Sequence, residues 1–181
     1  PLWITRLLAG QYGTGTLEGI LSSFRRRRDY DIRINLDLTD HSTYKKRLEE
    51  ASVSFAEWPG EWDGAFRILG HHGPGDLPGY REGLFFVQDL GAQIAASLLL
   101  PVCGPVLDVG SAPGGKLMFL APFLKKSEVE ALDISARRIK RLSENLNRLR
   151  IPLPRMTTQD FLKYEPGHLY SRIFLDVPCS G

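Results

Sequence analysis

In the second half of the chain, hydrophobic and polar positions alternate between helical and strand spacing in a regular succession. Gln88 to Leu100 places Leu90, Ile94, Leu98 and Leu99 on one helical face, which Pro101 closes. Val106-Leu-Asp-Val109 is a short apolar strand that runs into the glycine turn Gly110-Ser-Ala-Pro-Gly-Gly115, and Lys116 to Leu120 continues as a helix. Val129 to Ile134 is a second strand. Ser135 caps a helix whose Ile139, Leu142, Leu146 and Leu149 form one stripe, with Arg137, Lys140, Arg141 and Arg148 opposite. Arg155 to Gln159 and Arg172 to Val177 supply two more strands. The order β-α-β-α-β-β, with crossovers long enough for helices, predicts an α/β fold with a parallel, doubly wound sheet.

The pattern before it is looser. Asp31 to Leu36 alternates polar and apolar as a half-buried strand does, Tyr44 to Ala51 can form a helix entered through Ser42 or Thr43, and Ser52 to Trp58 and Ala65 to Leu69 read as short strands. This is a small α+β module. The run His71 to Gly79 packs three glycines and two prolines into nine residues, which breaks both periodicities and sets an expected boundary between residues 1–78 and 79–181.

Composition narrows the class. With 181 residues, 43% of them hydrophobic, the chain is long enough to bury a sizeable core without disulfides or metals. The longest apolar run, Ile94 to Cys103, contains Ser97 and Pro101 and is too short to span a bilayer, so no membrane association is expected. No basic segment followed by an apolar core opens the chain, which sets a cytoplasmic expectation. Cys103 and Cys179 stand far apart, outside any C-x-x-C or Cys/His cluster, so neither a disulfide nor a metal site is expected, and Cys103 reads as structural. A net charge of +2 does not argue for nucleic acid by itself. Two local patches do: Arg25-Arg-Arg-Arg28, and the basic helix face between Arg137 and Arg150.

The candidate chemistry lies at the strand ends. In open α/β sheets ligands sit beyond the carboxyl ends of the strands, and there Asp108, Asp133, Asp160 and Asp176 accompany the turn Gly110–Gly115. An acid closing the second strand suits ribose hydroxyls, which points to a nucleoside-bearing cofactor held by Asp133. Gly110 to Lys116 also fits G-x-x-x-x-G-K, the phosphate loop of NTPases. That loop needs Ser or Thr after the lysine to hold magnesium, and Leu117 has no oxygen to offer. A dinucleotide fingerprint fails at Ala112, where glycine is required.

Four runs occur together and in order: Gly83-Leu-Phe-Phe-Val-Gln-Asp89, Leu107 to Lys116, Ala131 to Ile139 with Glu144-Asn145, and Leu175-Asp-Val-Pro-Cys-Ser-Gly181. In this the chain resembles the Fmu/Sun family of RNA (cytosine-5)-methyltransferases, most closely the bacterial enzymes acting on small-subunit ribosomal RNA. The first domain resembles the family's RNA-binding module more faintly, at Pro1-Leu-Trp3 and Arg33-Ile-Asn35. The resemblance implies a Rossmann-like class I methyltransferase sheet, S-adenosylmethionine as cofactor, RNA as partner and a monomer. It implies that Gly110, Ser111, Ala112, Pro113, Gly114, Gly115 and Lys116 wrap the methionine and ribose, that Asp133 binds the ribose hydroxyls with Arg138 nearby, and that Asp160 faces the adenine. Asp176 and Cys179 would face the target base.

Carbon 5 of cytosine becomes nucleophilic only after a thiolate adds at carbon 6, which gives a thiol and an acid a reason to stand together at the ring. Two departures from the family pattern accompany the likeness. Gly110, Ser111 and Leu117 replace its usual residues, and in this family Cys179 corresponds to the cysteine of product release, the nucleophile being a later cysteine in a Thr-Cys motif. The sequence stops at Gly181, before any such motif and before the strands a complete sheet needs, so a fragment or a truncated product is expected. A non-catalytic RNA-binding protein that keeps a cofactor pocket is the alternative.

Overall fold

The computed structural model describes residues 2–25, 29–58, 60, 62–124 and 129–176. Among them, two four-stranded sheets form. The second is the one that the spacing of apolar residues predicts. It joins β5 (Val106–Val109), β6 (Val129–Asp133), β7 (Arg155–Thr158) and β8 (Arg172–Leu175) in the order β7-β6-β5-β8, with every pair parallel. Each residue of β5 and β6 is buried, as expected of central parallel strands covered on both faces. Helices α5 (Gly115–Leu120) and α6 (Ala136–Arg148) fall where expected, and Ser135 Oγ accepts from Arg138 N to cap α6. Helix α4 (Leu90–Ser97) forms within its expected span but turns a different face inward: it buries Gln93 and Ala96, whereas Ile94 and, beyond its end, Leu98 are exposed.

The first sheet joins β1 (Tyr30–Ile34), β2 (Phe55–Glu57), β3 (Ala65–Ile68) and β4 (Phe85–Val87) in the order β2-β3-β1-β4, with every pair antiparallel. One face packs Ile32, Ile34, Phe66, Ile68 and Phe85 against Tyr44 and Leu48 of α3 (His41–Glu50). The other face meets the parallel-sheet unit. Because successive strand residues point to opposite faces, Phe86 leaves the core of Phe85 and joins Met118, Phe119, Leu142 and Leu146. Neighbouring β1 does the same with polar groups: the Arg33 guanidinium lies 4.4 Å over the Phe119 ring, and Asn35 Nδ2 donates to the Leu149 carbonyl at 2.7 Å. Arg33 and Asn35, read in the sequence as part of an RNA-binding resemblance, are thus spent on joining the two sheets.

Four further features depart from expectation. The division at 78/79 falls within the span of the first sheet, since β4 pairs back on β1 from beyond the Gly/Pro-rich run. A break in periodicity ends an element; it does not say which sheet the next strand joins. The cap of α3 is Asp40, not Ser42 or Thr43: Asp40 Oδ1 accepts from Thr43 N at 2.8 Å and from Ser42 Oγ at 2.6 Å, and these donors hold its carboxyl well below the usual range. Two helices stand where none was expected, α1 (Leu2–Tyr12) and α2 (Thr14–Arg25). Helix α1 buries none of its residues, so its sequence carries no core-facing stripe to detect. Finally, Arg148 is not on the solvent side of α6: its Nη1 donates to the Tyr80 and Phe85 carbonyls at 2.8 and 3.1 Å. Gly83 is required at this seam, because it has φ +79° and any Cβ would collide with the Arg148 carbonyl.

Candidate cofactor pocket

The turn after β5 is pinned from both sides. Gly110 N and Ser111 N donate to the Leu132 carbonyl at 2.8 and 3.2 Å, which ties the turn to β6. From α6, Asn145 Nδ2 donates to the Pro113 carbonyl at 2.9 Å and Arg138 Nη2 donates to the Ala112 carbonyl. Gly114 lets the chain double back into α5: its φ is +105°, and a Cβ there would lie 2.5 Å from Leu142 Cδ1. Leu142, predicted as core, is therefore also the floor that keeps this turn tight.

The turn forms one wall of a cavity of about 400 Å³ at the carboxyl edge of the parallel sheet. Gly110, Ser111, Ala112, Pro113, Gly115 and Lys116 line it together with Asp108, Arg138 and Asp176. The opposite wall is Gln88, Asp89 and Ala92. Burial pushes the Asp108 carboxyl up to about 6, against the pull of the Ser111 hydroxyl, which donates to it at 2.7 Å, and of the Lys116 charge. Lys116 also pairs with the Asp176 carboxylate, and its ammonium lies 5.2 Å from the Phe174 ring centre.

Asp133 closes β6 and is buried. Its Oδ1 accepts from Ser135 N at 3.0 Å, whereas its Oδ2 has no hydrogen bond. Arg138 Nη1 stands 3.4 Å from Oδ2, within ion-pair range but without hydrogen-bond geometry. A buried carboxylate oxygen left in this way is suited to a hydroxyl that approaches from outside. The residues present therefore fit a nucleoside cofactor: a glycine turn for close approach, an acceptor at the end of the second strand, and a cation that steadies it.

The structure gathers most, but not all, of the residues singled out in the sequence. Gly110 to Pro113, Gly115, Lys116, Arg138 and Asp176 line one cavity; Gly114 shapes its turn, and Asp133 reaches it through Arg138. Asp160 is not on the cavity wall. Its Oδ1 accepts from Leu162 N at 3.0 Å and caps the short 3₁₀ turn Phe161–Lys163. Cys179 lies outside the described residues, as do Arg26 to Arg28 of the arginine run. Cys103 is exposed, so the structural role expected of it is not one of core packing. Gln88, Asp89 and Ala92 were not assigned from sequence, although Gln88 and Asp89 stand in the run Gly83–Asp89 that carries part of the resemblance.

Known proteins match this arrangement. A family model for the 16S rRNA methyltransferase RsmB/F matches residues 99–181. Ribosomal RNA small subunit methyltransferase B of Serratia proteamaculans is 32% identical over 184 residues, which cover all of this chain and 42% of that protein. Its counterpart in Vibrio vulnificus is 29% identical and is covered to 43%. The chain thus spans less than half the length of these relatives. Among solved structures, NSun6 from Pyrococcus horikoshii with SFG superposes with a TM-score of 0.82 at 16% identity, covering 99% of this chain and 71% of that one. A methyltransferase homolog from the same organism gives 0.69 at 22% identity, covering 94% and 56%. The two structures share the fold, the family model matches the turn and the strands around it, and the relatives align through both sheets: along its whole length the chain is similar to part of the RsmB/F ribosomal RNA methyltransferases.

Proposed function

We propose that this chain binds S-adenosylmethionine in the cavity beside Gly110–Lys116 and serves methyl transfer to carbon 5 of a cytosine in RNA, with ribosomal RNA as the substrate class that its relatives' names suggest. The observation that carries the reading is the buried Asp133 Oδ2, an acceptor without a hydrogen-bond donor at the end of β6, beside the Arg138 that lines the cavity. Bound there, the cofactor supplies an electrophilic methyl group on a sulfonium.

The chain's own residues have distinct tasks. Asp133 accepts from the ribose hydroxyls, and Arg138, tied to both Asp133 and the Ala112 carbonyl, keeps that carboxylate in place. Asp160 stands after β7 at the same sheet edge and is the candidate for the adenine side. Asp176 stands at the target base, oriented by Lys116, where it can hold the N3 and amino edge of cytosine. Cys179, three residues further along the chain, is the candidate thiol at the base. A thiolate adds to carbon 6, the resulting electron-rich carbon 5 takes the methyl group, a base removes the carbon 5 proton, and the thiolate leaves as the ring regains its double bond. The target base has to be extruded or single-stranded to reach the site.

Titration calorimetry tests the pocket: S-adenosylmethionine should bind, Asp133→Ala should weaken it, and ATP with magnesium should not bind. ATP binding alone would overturn the reading. Incubation with a methyl-labelled cofactor and small-subunit ribosomal RNA, followed by mapping of 5-methylcytosine, tests the transfer and its position.

A further inference from the structure

Gln88 is the least explained residue at the pocket. It is 6% exposed, it lines the cavity, and neither its Nε2 nor its Oε1 has a hydrogen-bond partner in the protein. A buried amide left unpaired at both ends is destabilising, and such a group calls for a ligand or a water. Its position is fixed. Gln88 N donates to the Asp31 carbonyl at 3.0 Å, and its carbonyl accepts from Gln93 Nε2 at 2.9 Å. Gln93, fully buried, accepts in turn from Arg33 Nη1 at 3.3 Å. The amide lies against the glycine turn, with Nε2 3.6 Å from where a Cβ on Gly115 would stand.

The charges around the cavity indicate what this amide meets. Three carboxyl groups line it, from Asp89, Asp108 and Asp176, along with two cations that are already engaged: Lys116 with Asp176, and Arg138 with Asp133 and the Ala112 carbonyl. A ligand that carries an ammonium finds ready partners among the acids. A ligand that also carries a carboxylate needs a donor that is neither acidic nor committed, and the Gln88 amide is the unpaired side-chain donor on this wall. It can donate to a carboxylate through Nε2 and accept from an ammonium through Oε1.

We propose that Gln88 is a cofactor-positioning residue that holds the amino-acid end of S-adenosylmethionine through its side-chain amide; this rests on the reading of the pocket given above. The wall that grips this end then belongs to the strand end and helix beyond the antiparallel sheet, and the wall that grips the ribose belongs to the parallel sheet.

Calorimetry on the 181-residue chain with two ligands separates the roles. S-adenosylmethionine has the amino-acid end, and 5′-methylthioadenosine shares the nucleoside and sulfur but lacks it. Gln88→Met, close in length and unable to hydrogen-bond, should weaken S-adenosylmethionine about tenfold or more and leave methylthioadenosine within about twofold. Gln88→Glu, which adds a negative charge beside the cofactor's carboxylate, should weaken S-adenosylmethionine further still and again spare methylthioadenosine. The melting temperature of unliganded Gln88→Met should equal or exceed that of the unaltered chain, since it buries no unpaired amide. Equal losses for both ligands would make Gln88 merely structural and overturn the proposal. Unchanged S-adenosylmethionine binding with impaired methyl transfer would place the amide at the target base and also overturn it. Failure of the unaltered chain to bind S-adenosylmethionine would remove the pocket reading itself.

Discussion

Strand β6 carries a buried carboxylate near each end, and the two are treated in opposite ways. At the start, Glu130 accepts from Tyr170 Oη and Thr157 Oγ1, both at 2.8 Å, with Arg155 Nε 3.6 Å away. At the finish, Asp133 is as well buried, but one of its oxygens has no hydrogen bond. Burial works to raise the Glu130 carboxyl; the bonds from Tyr170 and Thr157, with Arg155, outweigh it and hold the group below its usual range. Glu130 is complete within the protein, whereas Asp133 keeps one oxygen without a hydrogen bond, the one we propose for the ribose. Of the five unpaired buried side-chain atoms among the described residues, two belong to Gln88 on the cavity wall and one to Asp133 beside Arg138; the others are Tyr30 Oη and Arg148 Nε. The same strand thus satisfies one carboxylate within the fold and leaves the other with an unused acceptor at the carboxyl end, the edge where open parallel sheets bind ligands.

The largest effect expected from this contrast is on folding. Glu130→Ala strips the partner from the Tyr170 and Thr157 hydroxyls, with Arg155 largely exposed, and should destabilise the chain by about 2–4 kcal/mol in urea unfolding, while cofactor affinity in the folded protein stays within about twofold. A marked loss of affinity in that variant would break the comparison. Asp108 comes next, with an effect that depends on pH. Its carboxyl is raised to about 6, so the native state holds a proton that the unfolded chain has released, and stability falls as pH rises from about 4 to about 6. Above that window the ionised group costs up to about 3 kcal/mol. Asp108→Asn should therefore stabilise the unliganded chain at pH 8 by up to that amount and leave it near parity at pH 4. A constant difference across the range would refute the assignment. Asp133→Asn mirrors Glu130→Ala: it should weaken S-adenosylmethionine by about 30-fold, near 2 kcal/mol, with a change in stability under about 1 kcal/mol.

The two ends of β6 were not equally legible in the sequence. The parallel sheet was readable because its central strands β5 and β6 are short, largely apolar runs and α6 carries a stripe at the right spacing, with Ser135 directly ahead of it; β7, Arg-Met-Thr-Thr, and α4, which buries Gln93 and Ala96, give weaker signals. Asp133 was readable by its place at the end of the second strand. Its unpaired oxygen was not, because that depends on which donors the fold brings near. Arg148 shows the limit of periodicity: its place on the polar side of α6 is correct as a pattern, yet its partners come from 68 and 63 residues away. Asp40 shows a local ambiguity, since Asp40, Ser42 and Thr43 can all cap a helix and only the backbone chooses. Gln88 is the most telling miss. Polar residues at strand ends are common, and nothing in the run Gly83–Asp89 says that this one is buried without a partner.

The smallest effect sharpens the question of what keeps Glu130 satisfied. Tyr170 Oη donates to Glu130 Oε2 and lies 2.7 Å from Tyr164 Oη, so its hydroxyl links the carboxylate to a second ring. Tyr170→Phe keeps the ring in its apolar cluster with Leu107, Val109 and Leu132 and removes that hydroxyl alone. Thr157 and Arg155 remain on Oε1, so the loss should be about 1–2 kcal/mol at neutral pH, well short of that in Glu130→Ala. Its pH dependence identifies the source. A carboxylate held below its usual range contributes stability that is present above the ordinary carboxylate range and is lost as pH falls through the folded value. The difference between the two proteins should therefore shrink on acidification, as Glu130 takes up its proton and the bond ceases to be charge-assisted. A difference that stays constant with pH would mean that the Tyr170 hydroxyl acts through its neutral bond to Tyr164, and that Thr157 and Arg155 alone set Glu130 apart from Asp133.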